Sequence, residues 1–97
     1  MRIRHTARAL VEIDGIYSYI AQDNKAAADR VVSQIEQTIA LIGQFPKIGR
    51  LKYRHEVRML PVRRYPHYLV FYAVNDDEVV ILNVRHAARR RPSEAES

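Results

Sequence analysis

Cysteine is absent from this 97-residue sequence. That excludes a disulfide framework and any thiolate metal site, and it fits a reducing compartment. Glycine occurs three times and proline four times in a composition that is 47% apolar, which argues against disorder. Gly15, Gly43 and Gly49 stand alone, so there is no glycine-rich loop to cradle a phosphate. His5, His55, His67 and His86 are scattered, without the paired spacing of a zinc site. Asp76 and Asp77 are adjacent turn formers, and Ser18, Ser33, Ser93 and Ser97 carry no nucleophile signature. No metal and no cofactor is therefore expected. The longest apolar run, YLVFYAV over residues 68–74, is far too short to cross a bilayer. The opening MRIRHTARAL is basic and lacks the apolar core of a secretory leader. The expectation is a soluble cytoplasmic protein with no membrane partner.

This length allows one domain, expected over residues 1–97, with 89–97 as a basic and then polar C-terminal tail. Such a chain buries roughly 60–65% of its unfolded surface, enough for one modest core. What the sequence has in excess is positive charge, +5 net, and it is unevenly placed. Residues 1–45 hold five bases and five acids; residues 46–97 hold eleven bases and six acids. A one-sided basic surface predicts an acidic partner, either nucleic acid or an acidic polypeptide.

There are no internal repeats and no linker. RIRH, residues 2–5, reads as a short strand. Thr6 then suits a helix N-cap, because its hydroxyl can accept from free N–H groups. Leu10, Ile13, Tyr17 and Ile20 follow at helical spacing and predict the buried face of a first helix. Gly15 is a mild flaw there, costing about 1 kcal/mol against Ala. QDN at 22–24 breaks the pattern, and Asn24 caps a second helix. Its apolar face is Ala28, Val31, Ile35, Ile39 and Ile42, with Val32 beside it. A turn this short predicts an antiparallel helical hairpin. FPKIGR at 45–50 ends the helix. Beyond it the period changes to two. VRMLPVR (57–63) is a strand that Pro61 confines to an edge or a bulge. HYLVFYAV (67–74) is apolar on both faces and reads as central. NDDE (75–78) is a hairpin turn. EVVILNVRH (78–86) is the last strand, in which regular alternation places Val80, Leu82, Val84 and His86 on one face and Val79, Ile81, Asn83 and Arg85 on the other. The predicted class is α+β, in the order β-α-α-β-β-β. A helical hairpin packs on one face of a small, mainly antiparallel sheet. The opposite face is expected to be half covered and open to a partner.

The ordered set EIDGIYSYIAQDNKAAADRVVSQI, FPKIGR, VRMLPVRRYPHYLVFYAV and VVILNVRHAARR resembles the ParE-type toxins of the RelE/ParE superfamily, from Leu10 to about Arg90. The resemblance implies the same fold and the toxin of a type II toxin–antitoxin, or plasmid-stabilisation, system. It also implies a hetero-oligomer with a cognate ParD-like antitoxin. ParE-type members poison DNA gyrase, so gyrase is the implied target. RelE-type members share the fold and cut mRNA on the ribosome, which makes a ribosome-dependent endoribonuclease the alternative.

Cleaving RNA needs an acid and a base at the reacting atoms and cations near the phosphate. The residues that fit are His86, Arg58 and Arg85, with Arg63 and Arg64 adding charge. The sequence departs from the RelE pattern in two places. Tyr68 stands where those enzymes carry an arginine, and no tyrosine follows Tyr72. A catalytic set is therefore not expected. The bases are instead candidates for contacting target or antitoxin: Arg58, Arg63, Arg64, Arg85, His86, Arg89, Arg90 and Arg91, with Lys47, Arg50 and Lys52 on the loop after the helices. An antitoxin rich in Glu and Leu would suit them, lying as helices in grooves or as a strand on an exposed edge.

Overall fold

A computed structural model describes residues 1–52 and 56–88. The elements are β1 (Arg2–His5), α1 (Ala7–Ala21), α2 (Lys25–Gln44), β2 (Arg50–Leu51), β3 (Arg58–Val62), β4 (Tyr65–Val74) and β5 (Glu78–His86). They form an α+β fold of two helices on one face of a five-stranded sheet, ordered β1-β5-β4-β3-β2. All pairs are antiparallel except β1–β5, which is parallel. β4 lies at the centre, as its two apolar faces predict. β2 was not foreseen: two residues are too few to show a period.

Both predicted caps are made. Thr6 Oγ1 accepts from Ala9 N at 3.0 Å, and Asn24 Oδ1 accepts from Ala27 N at 3.0 Å. The Thr6 hydroxyl also donates to Leu82 O at 3.0 Å, so one side chain starts the helix and ties it to the sheet. In α2 the predicted stripe is buried, and Thr38 and Gly43 join it. Thr38 is a buried polar group with both needs met: its hydroxyl donates to Gln34 O at 2.8 Å and accepts from Arg63 N at 3.2 Å. At Gly43 the helix presses on β1 so closely that a Cβ would stand 2.6 Å from Ile3 Cδ1.

The buried face of α1 is the predicted one only in part: Ile13 and Ile20 pack on the core as expected, and Ala9 and Ile16 take the place expected for Leu10. Leu10 is 55% exposed. Tyr17 sits at the helix–helix seam, where its hydroxyl donates to Asp29 Oδ1 at 3.0 Å. The helix carries apolar residues on two stripes, and the seat of Thr6 against β5 selects the one containing Ala9.

The strand faces also differ from regular alternation. The β4–β5 register shifts between Phe71 and Tyr72, whose partners are Asn83 and Ile81, so Leu82 is an extra residue in β5. The bulge puts Val79, Ile81, Val84 and His86 on the helix-covered face and Val80, Asn83 and Arg85 on the other. A second shift falls between Pro61 and Val62, where proline had predicted an edge or a bulge. The NDDE turn closes through Asn75, whose Oδ1 accepts from Asp77 N at 3.1 Å and Glu78 N at 2.9 Å.

The core is one cluster joining both helices to Tyr68, Val70, Tyr72, Val79, Ile81 and Val84. The far face of the sheet is less bare than expected, since Phe71 and Val80 are buried there.

Candidate functional site

The basic residues singled out in the sequence fall at separate places on this frame. Arg58 lies on β3 and serves the loop that carries FPKIGR. Its Nη1 donates to Gly49 O at 2.7 Å and to Lys47 O at 3.3 Å. Tyr72, wholly buried, completes this clamp: its hydroxyl donates to Pro46 O at 2.8 Å and accepts from Gly49 N at 2.8 Å. Burial pushes the Tyr72 phenol above its ordinary pKa, while the Gly49 N–H and the Arg58 charge pull the other way. A Cβ on Gly49 would stand 2.5 Å from Tyr72 Oη, so this position admits only glycine without rearrangement. Nothing in the sequence linked Tyr72 to FPKIGR, because the two lie more than twenty residues apart.

Arg63 and Arg64 form the two-residue turn between β3 and β4, and both side chains are exposed. Arg64 has φ 70°, a left-handed backbone that glycine or asparagine adopts more cheaply. Beside it is a depression of about 350 Å³ lined by Asp29, Arg30, Ser33, Gln34, Arg64 and Tyr65.

Arg85 and His86 point to opposite faces of the sheet. The Arg85 guanidinium lies 4.9 Å above the Phe71 ring on the far face, within the range of a cation–π contact. His86 lies on the helix side, edge-on to Tyr68 with centroids 5.1 Å apart, and 5.0 Å from the His67 ring. Its Nδ1 accepts from Ala88 N at 3.1 Å. Tyr68, standing where the ribonucleases carry arginine, is a buried core residue. The structure thus brings His86 to His67 and Tyr68, a pairing the sequence did not signal, and does not bring it to Arg58, whose guanidinium is engaged by the loop. Arg89, Arg90 and Arg91 lie outside the described residues. Lys47, Arg50 and Lys52 are exposed around β2.

A strongly apolar concavity lies elsewhere. It measures about 640 Å³, lies at the C-terminal end of α2, and is lined by Met1, Gln44, Phe45, Pro46, Lys47, Ile48 and Val74. Met1, Phe45 and Ile48 are 50%, 57% and 44% exposed, a concentration of large apolar surface that marks interaction sites on soluble domains. Among the described residues there is no group of three or more metal-ligating side chains and no helix long and apolar enough to cross a membrane.

Residues 3–91 match the family described as the ParE toxin of the type II toxin–antitoxin system parDE. The chain is 37% identical over 91 residues to the protein named "Putative toxin Y4kP" from Sinorhizobium fredii, covering 94% of this chain and 93% of that one. It is 33% identical over 84 residues to Toxin RelE2 of Caulobacter vibrioides, covering 87% and 92%. A solved structure described as the chromosomal ParDE system of P. aeruginosa superposes with a TM-score of 0.76 at 22% identity, covering 89% of this chain and 95% of that one, which supports the fold.

Proposed function

This chain belongs to the ParE toxin family of type II toxin–antitoxin systems, and from that premise we propose that it is held silent by a cognate ParD-like antitoxin and, when released, arrests growth by binding DNA gyrase in the cytoplasm. The observation that carries a binding mode is the dispersal of the candidate chemical groups. Arg85 and His86 sit on opposite faces, and Arg58 spends its guanidinium on two backbone carbonyls. General acid–base catalysis needs those groups within hydrogen-bond reach of one reacting centre. A toxin that binds one state of an enzyme better than the others needs no chemistry of its own. Gyrase cuts and reseals DNA, and a ligand preferring the cut state shifts the population toward breaks.

The exposed Arg63 and Arg64, with the half-buried Arg85 whose guanidinium lies over Phe71, are the described basic contacts for this role. Arg64 is the most telling, since a charged side chain occupies a backbone conformation that glycine would adopt at lower cost. The test has two arms. Expression of the chain alone should stop growth, and co-expression with the product of the neighbouring gene should restore it. Purified protein should block supercoiling by gyrase while mRNA in a translation extract stays intact. Undiminished supercoiling at large molar excess, with mRNA cut on ribosomes, would replace gyrase inhibition with the ribonuclease reading.

A further inference from the structure

We propose that a strip running from α2 past the β3–β4 turn to the end of β5 binds single-stranded nucleic acid. A backbone phosphate sits in the depression beside Arg64, and an unpaired base stacks on the His67 ring. The inference rests on the gyrase reading above, and it gives the toxin a hold on the DNA strand that gyrase has cut.

The strip has two halves that meet at Tyr65. The first is the depression of about 350 Å³ between α2 and the turn. Arg30 and Arg64 bring two guanidinium groups to its wall. Asp29 on the same wall already accepts from Tyr17 Oη at 3.0 Å and from Lys25 Nζ at 3.4 Å, which offsets its charge. Ser33 Oγ accepts from Gln37 Nε2 at 3.3 Å and keeps its own proton to donate. Two guanidinium groups and a hydroxyl donor suit a phosphate, whose oxygens only accept. Arg64 takes its place there at φ 70°. A strained backbone kept at a charged residue points to a ligand, because folding alone would favour glycine.

The second half is a group of rings. Tyr65 meets His67 edge-on, with centroids 6.3 Å apart. A regular strand would send His67 and Tyr68 to opposite faces. Pro61 pairs with Leu69 but Val62 with Tyr65, so residues 66–68 are extra in β4. The two rings therefore meet at 4.7 Å, and the His86 ring stands 5.0 Å from His67. Tyr68 is buried, Tyr65 and His86 are half-buried, and His67 is exposed. His67 is thus an outward ring braced by three others. Such a ring loses little freedom when a base stacks on it, and every base offers a π face. A duplex keeps those faces stacked inside, so the platform selects an unpaired strand. Cations for the phosphate beside a ring for the base are the combination that single-strand binding proteins use. An acidic polypeptide would use the arginines and leave the ring idle, so these residues favour nucleic acid.

The purified protein is titrated into short labelled oligonucleotides of one mixed sequence, and anisotropy reads binding at low salt. The probes are single-stranded DNA, the same strand as RNA, and duplex DNA. His67→Ala removes the platform. Arg64→Gly removes a cation and suits the backbone at φ 70°. Arg8→Gln, exposed on α1, removes the same charge outside the strip and is the control. Urea midpoints equal to or above that of the wild type confirm folding. Single-stranded DNA should bind more tightly than the duplex, and each strip variant should weaken it about ten-fold, the scale of one stacked base. The control should match the wild type. Arg64→Gly should also flatten the salt dependence, as loss of a phosphate contact does, which a merely structural role would not. With gyrase and plasmid, both strip variants should yield less linear DNA. Absent single-strand binding, a duplex bound as tightly, or wild-type affinity in either strip variant overturns the site, and linear DNA still formed with gyrase leaves the gyrase reading standing. Tighter binding to the RNA strand overturns the assignment to cut DNA. Single-strand binding lost in both variants, with gyrase unaffected by the wild type, overturns the gyrase reading and keeps the site.

Discussion

Replacing Tyr72 by Phe isolates what holds the FPKIGR loop. The substitution keeps the ring, and with it the core packing, and removes one oxygen. That oxygen accepts from Gly49 N and donates to Pro46 O, each at 2.8 Å. Gly49 is buried and Pro46 half-buried, so neither group regains water freely. A net hydrogen bond contributes about 1 kcal/mol, and a buried donor left unpaired costs about 1–3 kcal/mol. The two figures overlap, and the loss expected for Tyr72→Phe is about 2–3 kcal/mol. Against a typical stability of about 5–15 kcal/mol the variant still folds, and its melting temperature falls by roughly 10–20 °C for a domain of this size. Urea unfolding followed by circular dichroism reads the loss as a lower midpoint at unchanged slope. Hydrogen exchange should show the Gly49 amide opening faster than the amides of β4. A midpoint shift worth less than about 0.5 kcal/mol, which is the scatter of ordinary surface substitutions, would refute the assignment of the loop to this clamp.

Gly15→Ala should raise stability by about 1 kcal/mol, since a Cβ there meets nothing within 4 Å and alanine favours the helix; an unchanged or lower urea midpoint would contradict this. The raised pKa of Tyr72 stabilises the fold fully below the unfolded value of 10.0, and that contribution is lost as pH rises through the folded value. Unfolding midpoints should therefore fall above pH 10 more steeply for the wild type than for Tyr72→Phe, and parallel curves would contradict it. Thr38→Val should cost about 1 kcal/mol by stripping Arg63 N of its acceptor, and a neutral urea midpoint would argue that water replaces the hydroxyl. His86→Ala should leave growth inhibition intact, and a non-toxic but folded variant would restore a catalytic role for that ring.

Much of the frame was legible from local chemistry. Thr6, Asn24 and the NDDE turn announce themselves because short polar side chains capture free backbone groups within three residues. The α2 stripe was legible because only one of its faces is apolar. The register of α1 was not, because Leu10 and Val11 compete with Ala9 and Ile16, and only contact with β5 decides between them. The bulge at Leu82 was hidden because it falls in the run VVIL, where every residue is apolar and alternation carries no signal. The site was less legible than the fold. Charge alone made Arg58 look like a phosphate contact, whereas its use is set by carbonyls nine and eleven residues away that fold back to it. The hollow of about 230 Å³ beside β1 was invisible for a related reason. It is lined by Ile3 and His5 on one side and by Glu36, Ile39 and Ala40 on the other, more than thirty residues away, and they meet only in the folded chain.

The proposed mode of action is that the protein traps gyrase on cut DNA and does not cut a substrate itself. Its most direct test is to incubate purified protein with gyrase and supercoiled plasmid, stop the reaction with detergent, digest with protease, and measure linear DNA. Linear DNA should rise with the protein, need gyrase, and persist with His86→Ala. Linear DNA at the level of gyrase alone, across all concentrations of a protein that still arrests growth, would contradict it.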